Sequence, residues 1–521
     1  MRGRMRIEII LSRIPTLLGP IGAIGVLLAG CQPEPTTGSS PATTVLTRAL
    51  GGEPETLDPR LASDNPSLAL MLELYEGLTS ERPDGVVEPG AAASWRTSPD
   101  GKTWTFTLRQ GLRWSNGESL TATHFVAGLD AARATGTQAP YGALLDSVLQ
   151  ATATDQRTIV LTLQRPVPYL PALLALPVAA PQYPAGNPAS ATVVSNGAYR
   201  LVARRPGEKI ELERNPHYHS SGQVQVERVT YLTLDDLNTE LNLYRSGQLD
   251  LTSEVPNARI EWIKANLPGE LHIAPYLSTY SYAVNLARLP DEDARRALAM
   301  AVDRSRITNL VTGAGERPAM GWVAEGVPGY AAPRFQWARL DDARRIAEAR
   351  AAWQRAQGKH RRIAGLTLCT DSSENHHRTA IALADQWHEA LGVEIKLVEM
   401  EWKAYLAMRD HPGECDLLRL GWSADFVDPE SFLTLFETGD PQNTLGYSND
   451  RYDALLAESR RTANTDKRMK LLAAAEALLL EDLPMIPIFH RVSKRLAKPY
   501  VLGMHDNPLG HLASRHLRLD R

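Results

Sequence analysis

The sequence predicts mixed α/β layers arranged in more than one domain, and three observations carry that reading. The chain has 521 residues, and a domain typically takes about 150. Its first half is rich in strand patterns, with apolar and polar residues alternating in "TWTFTLRQGLRW". Its second half alternates strands with helical stretches such as "DEDARRALAMAVDR", the order that builds α/β layers.

The elements follow in order. "PSLALMLELYEGL" spaces its apolar residues as a helix does. "TWTFTLRQGLRWSNGESL" is a strand pattern that turns at Asn116-Gly117. "TATHFVAGLDAAR" is a helix behind a Thr cap. "RTIVLTLQRP" and "KIELERNP" are further strands. In the second half, "DSSENHHRTAIALADQWHEALGV" holds a long helix and "EIKLVEM" is the strand after it. "DLLRLGW" is a strand, "DKRMKLLAAAEALLLED" an amphipathic helix and "PMIPIFH" a buried strand.

The N-terminus stands apart. Arg2, Arg4, Arg6 and Arg13 precede an apolar run ending "IGVLLAGC". A basic region, an apolar core and small residues before a cleavage point mark a secretory signal over residues 1–30. Leu28-Ala29-Gly30-Cys31 resembles the bacterial lipobox, which implies lipidation of Cys31; the alternative is a plain signal peptide with a chance cysteine. Removing residues 1–30 takes the formal charge from −4 to −7. Residues 31–45, in which "QPEPTTGSSPATT" follows Cys31, are too polar to bury a core and read as a flexible tether. No later apolar run approaches the roughly 20 residues of a membrane span. The body is therefore expected to be exported, periplasmic or at the cell surface, and tied to a membrane by its lipid.

Composition narrows the function. The chain is 43% hydrophobic and 22% charged, with no basic block, so nucleic acid is not an expected partner. Cys369 and Cys415 lie in strand-like stretches; the compartment permits a disulfide, and two buried free thiols fit equally. Catalytic motifs are missing. "QWHEALG" has no second histidine one turn after Glu389, "GWSAD" lacks the second glycine of a nucleophile elbow, and no phosphate loop occurs. No metal or other cofactor and no enzyme activity are expected.

One stretch stands out for function. "GWSADFVDPESFL", Gly421 to Leu433, sets Asp425 and Asp428 among Trp422, Phe426 and Phe432. Asp428 reads as a helix N-cap with Pro429 in the first helical position. Asp425 has no comparable local role beyond a bond to nearby backbone.

These residues resemble a known family. "EPETLDP" with "LYEGL", "WTFTLRQGLRWSNGESLTATHFV", "VVSNGAYRL", "LERNPHY", "VTYL" with "YRSGQLD", "RRALAMAVDR", "GVEIKLVEMEWKAYL" and "GWSADFVDPESFL" occur in an order, from about Thr47 to the C-terminus, that resembles bacterial oligopeptide-binding proteins. These are family 5 solute-binding proteins of peptide ABC transporters, and the pieces favour the oligopeptide and murein-peptide branch. The resemblance implies a two-lobed periplasmic-binding-protein clamp (class II, cluster C) with an additional third domain. Residues 45–75, 200–277 and 493–521 would form lobe I, 76–199 the extra domain and 278–492 lobe III, closing on ligand by hinge motion. It implies a monomer that captures short peptides and hands them to the permease and ATPase subunits of an importer. A murein tripeptide receptor is the alternative; a peptide-sensing receptor and a hydrolase are more distant ones.

The resemblance also assigns site residues. The acid of the family's "ADY" motif, here Asp425 in "ADF", holds the peptide α-ammonium. Main-chain groups of Gly421, Trp422 and Ser423, and of a segment near Ala62–Asp64, bind the peptide as an added strand, which suits tolerance of many sequences. Trp402, Trp422, Tyr141 and Tyr276 match aromatics that line the cleft, although large aromatics commonly just pack. Arg419, His376 and Arg409 match cations that meet ligand carboxylates. Arg419 lies among Leu417, Leu418 and Leu420, where a charge needs an anionic partner. The sequence departs from the family at four places. Ser63 replaces an acid that contacts basic ligands, Thr312 stands where a lysine meets longer peptides, and Ser278 and Ser423 stand where enteric members have a disulfide.

Overall fold

Thr103–Leu108 shows how the strand pattern becomes structure. Trp104, Phe106 and Leu108 are buried, and the threonines between them are half-buried. The strand lies between Ala92–Thr97 and Thr158–Leu163, with Val148–Ala153 outermost, in an antiparallel sheet of four. Gly117 makes the expected turn at φ 90°, a region that favours glycine, and Arg113 and Ser119 pair across it.

The computed structural model describes residues 44–134, 136–137, 139–184, 193–359, 363, 365–411, 413–440, 442–462 and 464–521. The signal segment, Cys31 and nearly all of the tether lie outside them. Thr43–Arg521 forms one compact unit, and no helix among the described residues is long and apolar enough to cross a membrane.

Two further large sheets are present among the described residues. One has four strands in the order Val45–Ala49, Arg228–Leu232, Lys209–Arg214 and Tyr199–Arg205, the first pair parallel and the others antiparallel. The other has six: Arg317–Pro318, Met485–Leu496, Leu271–Val284, Leu417–Ser423, Gly365–Asp371 and Glu394–Met400. Its last three strands run parallel where they pair. Each large sheet has its own apolar core.

Two long strands link these cores. Leu271–Val284 and Met485–Leu496 pair antiparallel, with irregular register between Pro275 and Thr279. At one end Leu271 and Leu496 pack with Ala49, Tyr244 and Ile260. At the other, Leu277, Tyr280 and Ile486 belong to the largest core. The expected lobe boundaries at 277/278 and 492/493 fall inside these continuous strands, and "PMIPIFH" proves to be the start of a twelve-residue strand.

Helix starts follow local chemistry. Asp64 accepts from Ser67 N at 3.1 Å before Asn65–Leu74, and Asp291 accepts from Ala294 N at 3.1 Å before Glu292–Ala301. Asp428 departs from its expected role. The helix is Glu430–Leu433, one residue later than Pro429 suggested. Asp428 still accepts from Glu430 N at 2.9 Å, but its carboxylate also takes bonds from Arg468 at 2.7 and 2.8 Å. Burial of that arginine outweighs capping as the constraint on this acid. Cys369 and Cys415 are joined in a disulfide, with Cα atoms 5.9 Å apart, which settles the alternative left open by sequence.

The loop after Leu417–Ser423 reaches across the molecule. Ala424 and Phe432 lie in the core of the six-stranded sheet. Phe426, between them, is buried in the core of the four-stranded antiparallel sheet. There it stacks on Tyr169 with ring centroids 4.8 Å apart and planes at 14°. Two cores therefore hold Asp425 in place from either side.

Candidate functional site

The Leu417–Ser423 strand supplies the frame. It pairs with Leu271–Val284 along its whole length, from Val284↔Leu417 to Ser278↔Ser423. On its other side it pairs with Gly365–Asp371 only at Leu417 and Leu418. Leu420 O accepts from Ser281 Oγ at 3.0 Å and Ala424 N donates to Leu277 O at 2.8 Å, so even-numbered residues face Leu271–Val284. Gly421 and Ser423 point their N–H and C=O groups the other way. No strand among the described residues pairs with them there. Arg419 O, on the same open side, accepts from the Tyr405 hydroxyl. The result is a short free edge, two residues apart, of the kind that pairs an extended peptide.

A half-buried carboxylate stands at the end of this edge. Asp425 N donates to Ser431 Oγ at 2.8 Å, and the Ser431 hydroxyl reaches Asp425 Oδ2 at 3.5 Å. Burial pushes the Asp425 carboxyl up to about 7; hydrogen bonding from Tyr141 and the charge of His511 oppose the shift only in part. Tyr141 is raised well above its usual value by burial and then by the charge of Asp425. His511 donates or accepts at Glu81 Oε2 at 2.7 Å; burial lowers its pKa, but Glu81 and Asp425 outweigh that and raise it. An ammonium brought to Asp425 would supply the charge that this carboxylate lacks.

Tyr276 joins the same end. Its hydroxyl donates to Ser423 Oγ at 2.7 Å, and Ser423 Oγ lies 3.0 Å from Ser278 Oγ. The two serines thus meet as register partners. A Cβ at Gly510 would come within 2.9 Å of the Tyr276 ring, so glycine lets the C-terminal loop carrying His511 lie against it. Arg409 exerts its charge on Tyr141.

The other end of the edge gathers Arg419, His376, Trp402 and Tyr405 around Asp371. Arg419 Nε and Nη2 both donate to Asp371 Oδ2, at 3.0 and 2.7 Å. The anionic partner that Arg419 needs is therefore supplied within the chain. The guanidinium also lies 5.4 Å from the Trp402 ring centroid and 5.7 Å from that of Tyr405. His376 Nδ1 sits 2.8 Å from Asp371 Oδ1, so Nδ1 carries the proton. Burial, then the charge of Arg419, lowers the His376 pKa despite Asp371. The neutral ring offers Nε2 as an acceptor, so donation to a ligand carboxylate requires proton uptake. A Cβ at Gly421 would stand 3.0 Å from Arg419 Nη1, a close approach that a side chain here would make the guanidinium yield to.

The remaining positions separate. Trp422 Nε1 donates to Ser431 O at 2.6 Å, which ties its ring to the Asp425 loop. Trp402 is 38% exposed, with Tyr405 stacked beside it at a centroid distance of 6.2 Å. Ser63 is exposed before Asn65–Leu74, and no hydrogen bond or ion pair among the described residues ties it to the others. Thr312 is buried and donates to Thr308 O at 3.1 Å. It also bonds Glu316, whose Oε1 takes Lys494 Nζ at 2.7 Å, so a lysine from the Met485–Leu496 strand stands close by. Sequence reasoning missed Asp371, His511 and Ser431. Asp371 had a signal, an acid closing the apolar strand "LTLCTD"; His511 and Ser431 had none. Among the described residues no group of three or more His, Cys, Asp or Glu is placed to hold a metal.

Comparison with known proteins follows the same lines. The sequence matches the family described as "Bacterial extracellular solute-binding proteins, family 5 Middle" over residues 86–444. The periplasmic oligopeptide-binding protein OppA of Escherichia coli is 32% identical, covering 96% of this chain and 97% of the relative. The murein tripeptide-binding protein MppA of E. coli is 30% identical, with a TM-score of 0.87 over 92% of this chain and 99% of that one. Its unliganded open form scores 0.70 at the same coverage of this chain and 98% of its own. OppA of Haemophilus influenzae in complex with RPPGFSPFR is 31% identical, with a TM-score of 0.86 and coverages of 92% and 99%.

Proposed function

The chain belongs to family 5 of the bacterial extracellular solute-binding proteins, whose members bind rather than transform their ligands, and from that premise we propose that it captures short peptides between its lobes and delivers them to an ABC importer. One observation carries the reading: the free edge at Gly421 and Ser423 ends at the half-buried carboxylate of Asp425. Main-chain pairing at the edge accepts any side chain. The carboxylate selects a free ammonium, which water can no longer solvate once the cleft closes. Tyr141, Trp402 and Tyr276 border the ligand, and Arg419 and His376, both held by Asp371, stand at its far end, where His376 adds positive charge only on taking up a proton. Murein tripeptide falls within the same ligand class, since it too presents an α-ammonium.

Closure couples the lobes to the ligand. The greater likeness to MppA than to its open form supports a closed arrangement here. Phe426 and Tyr141 bring the extra domain, 76–199, against the Asp425 loop of lobe III. Ligand contacts on both sides then favour the closed state. The protein acts as a monomer, held at the membrane through lipidated Cys31, with permease and ATPase subunits as partners.

Mass spectrometry of small molecules released from natively purified protein tests the reading. Short peptides with free N-termini are expected. Recovery of non-peptide solutes alone, with no response to added peptides, would contradict it.

A further inference from the structure

Phe426 occupies a core built by a distant stretch of chain. Among the described residues, every other buried member of that core lies between Leu78 and Ala179. Ala424 and Phe432, on either side of it in sequence, stay in the core of the six-stranded sheet. The Phe426 ring is 2% exposed and stacks on Tyr169, with 4.8 Å between centroids. Chain connectivity ties Phe426 to one sheet, and packing alone holds it to the other.

The polar groups around the ring divide differently. Arg468 donates to Asp428 at 2.7 and 2.8 Å and to Glu430 at 2.7 Å, and Arg460 donates to Glu430 as well. All four residues belong to the stretch that carries Phe426. From the other side Tyr169 hydrogen-bonds Glu430, and Arg165 stands 3.8 Å from that carboxylate. Were the two cores to part, both acids would keep Arg468, and Glu430 would also keep Arg460. No charge would be left buried and unpaired, the outcome that makes a split ion pair costly. Parting would instead wet the Phe426 ring and break its stack, a moderate and reversible cost.

We propose that Phe426 is a latch on the closed cleft, and that its seat on Tyr169 sets how fast bound peptide leaves. Phe426 directly follows Asp425, so the loop that holds the ligand ammonium is the loop that the latch pins. The ring acts through closure as a positioning residue. The inference rests on the peptide-binding reading above.

Release of a tritiated tripeptide, chased with excess unlabelled peptide, tests it on the full mature chain. Wild type is compared with Phe426→Ala and Tyr169→Ala, and small-angle scattering gives the radius of gyration of each protein without peptide. Both variants are expected to release peptide about ten- to a hundredfold faster and to have a larger radius than wild type. Phe426→Leu keeps the core filled but cannot stack, so a folded protein with a smaller gain in the same direction is expected. A packing contact that never opens gives another pattern, in which the unfolding midpoint falls while release and radius stay at wild-type values. That pattern in Phe426→Leu and Tyr169→Ala would overturn the latch and leave peptide binding intact. Failure of the wild type to bind any tripeptide would overturn the peptide reading and this inference with it.

Discussion

Asp371 Oδ2 accepts from both Nε and Nη2 of Arg419, at 3.0 and 2.7 Å, with the two side chains 6% and 10% exposed. The pair connects neighbouring strands next to the free edge and orients His376 as well. Asp371→Asn would leave the guanidinium buried without an anion. The expected loss of stability is about 3–5 kcal/mol, the range for breaking one partner of a buried pair. Denaturant titration checks it; a wild-type midpoint would show that the pair holds nothing.

The carboxyl of Asp425 sits at about 7 because burial disfavours its charge. A bound ammonium needs the charged form, so affinity should fall as pH drops below about 7, approaching tenfold per unit. His511 acts in the same direction, since its protonation adds positive charge beside the ammonium. Above about 8 the peptide amine itself deprotonates and affinity falls again. Peptide amides, which lack the C-terminal carboxylate, isolate the effect from His376. A profile flat between pH 5 and 7 would contradict it. In the ligand-free protein the folded state holds a proton that the unfolded chain releases above about 4. This group's contribution to stability is therefore lost as pH rises from about 4 to 7.

The Cys369–Cys415 bridge closes a separation of 46 residues. In the chain-entropy account its removal should cost about 3–4 kcal/mol. Cys369→Ser with Cys415→Ser, compared with wild type by thermal unfolding, tests this. A mass showing two free thiols in the exported wild-type protein would contradict the bridge.

Attachment through Cys31 makes a separate prediction. Cys31→Ser should move the protein from the membrane fraction to the soluble one. A wild-type protein that is already soluble and begins at another residue would overturn the lipobox reading.

Much of this arrangement was legible in the residues. The alternation of Trp104, Phe106 and Leu108 gave a strand with one buried side, and the acid among aromatics at Asp425 drew attention to the candidate site. The free edge was legible only through the family resemblance, because nothing local says that Gly365–Asp371 stops pairing after Cys369. The partner of Arg419 lies 48 positions away, and His511 comes from a C-terminal loop with no pattern of its own. Phe426 looked like an ordinary core residue of its own region. That it fills a different core depends on how two sheets pack, which periodicity does not record.

The account rests on Asp425 as the anchor of a free peptide N-terminus, and one calorimetric comparison tests that most directly. A tripeptide and its N-acetyl form are titrated into the wild type and into Asp425→Ala. The account predicts that acetylation and Asp425→Ala each weaken wild-type binding by roughly 2–5 kcal/mol, and that the variant scarcely distinguishes the two ligands. Equal wild-type affinity for the free and acetylated peptides would contradict it.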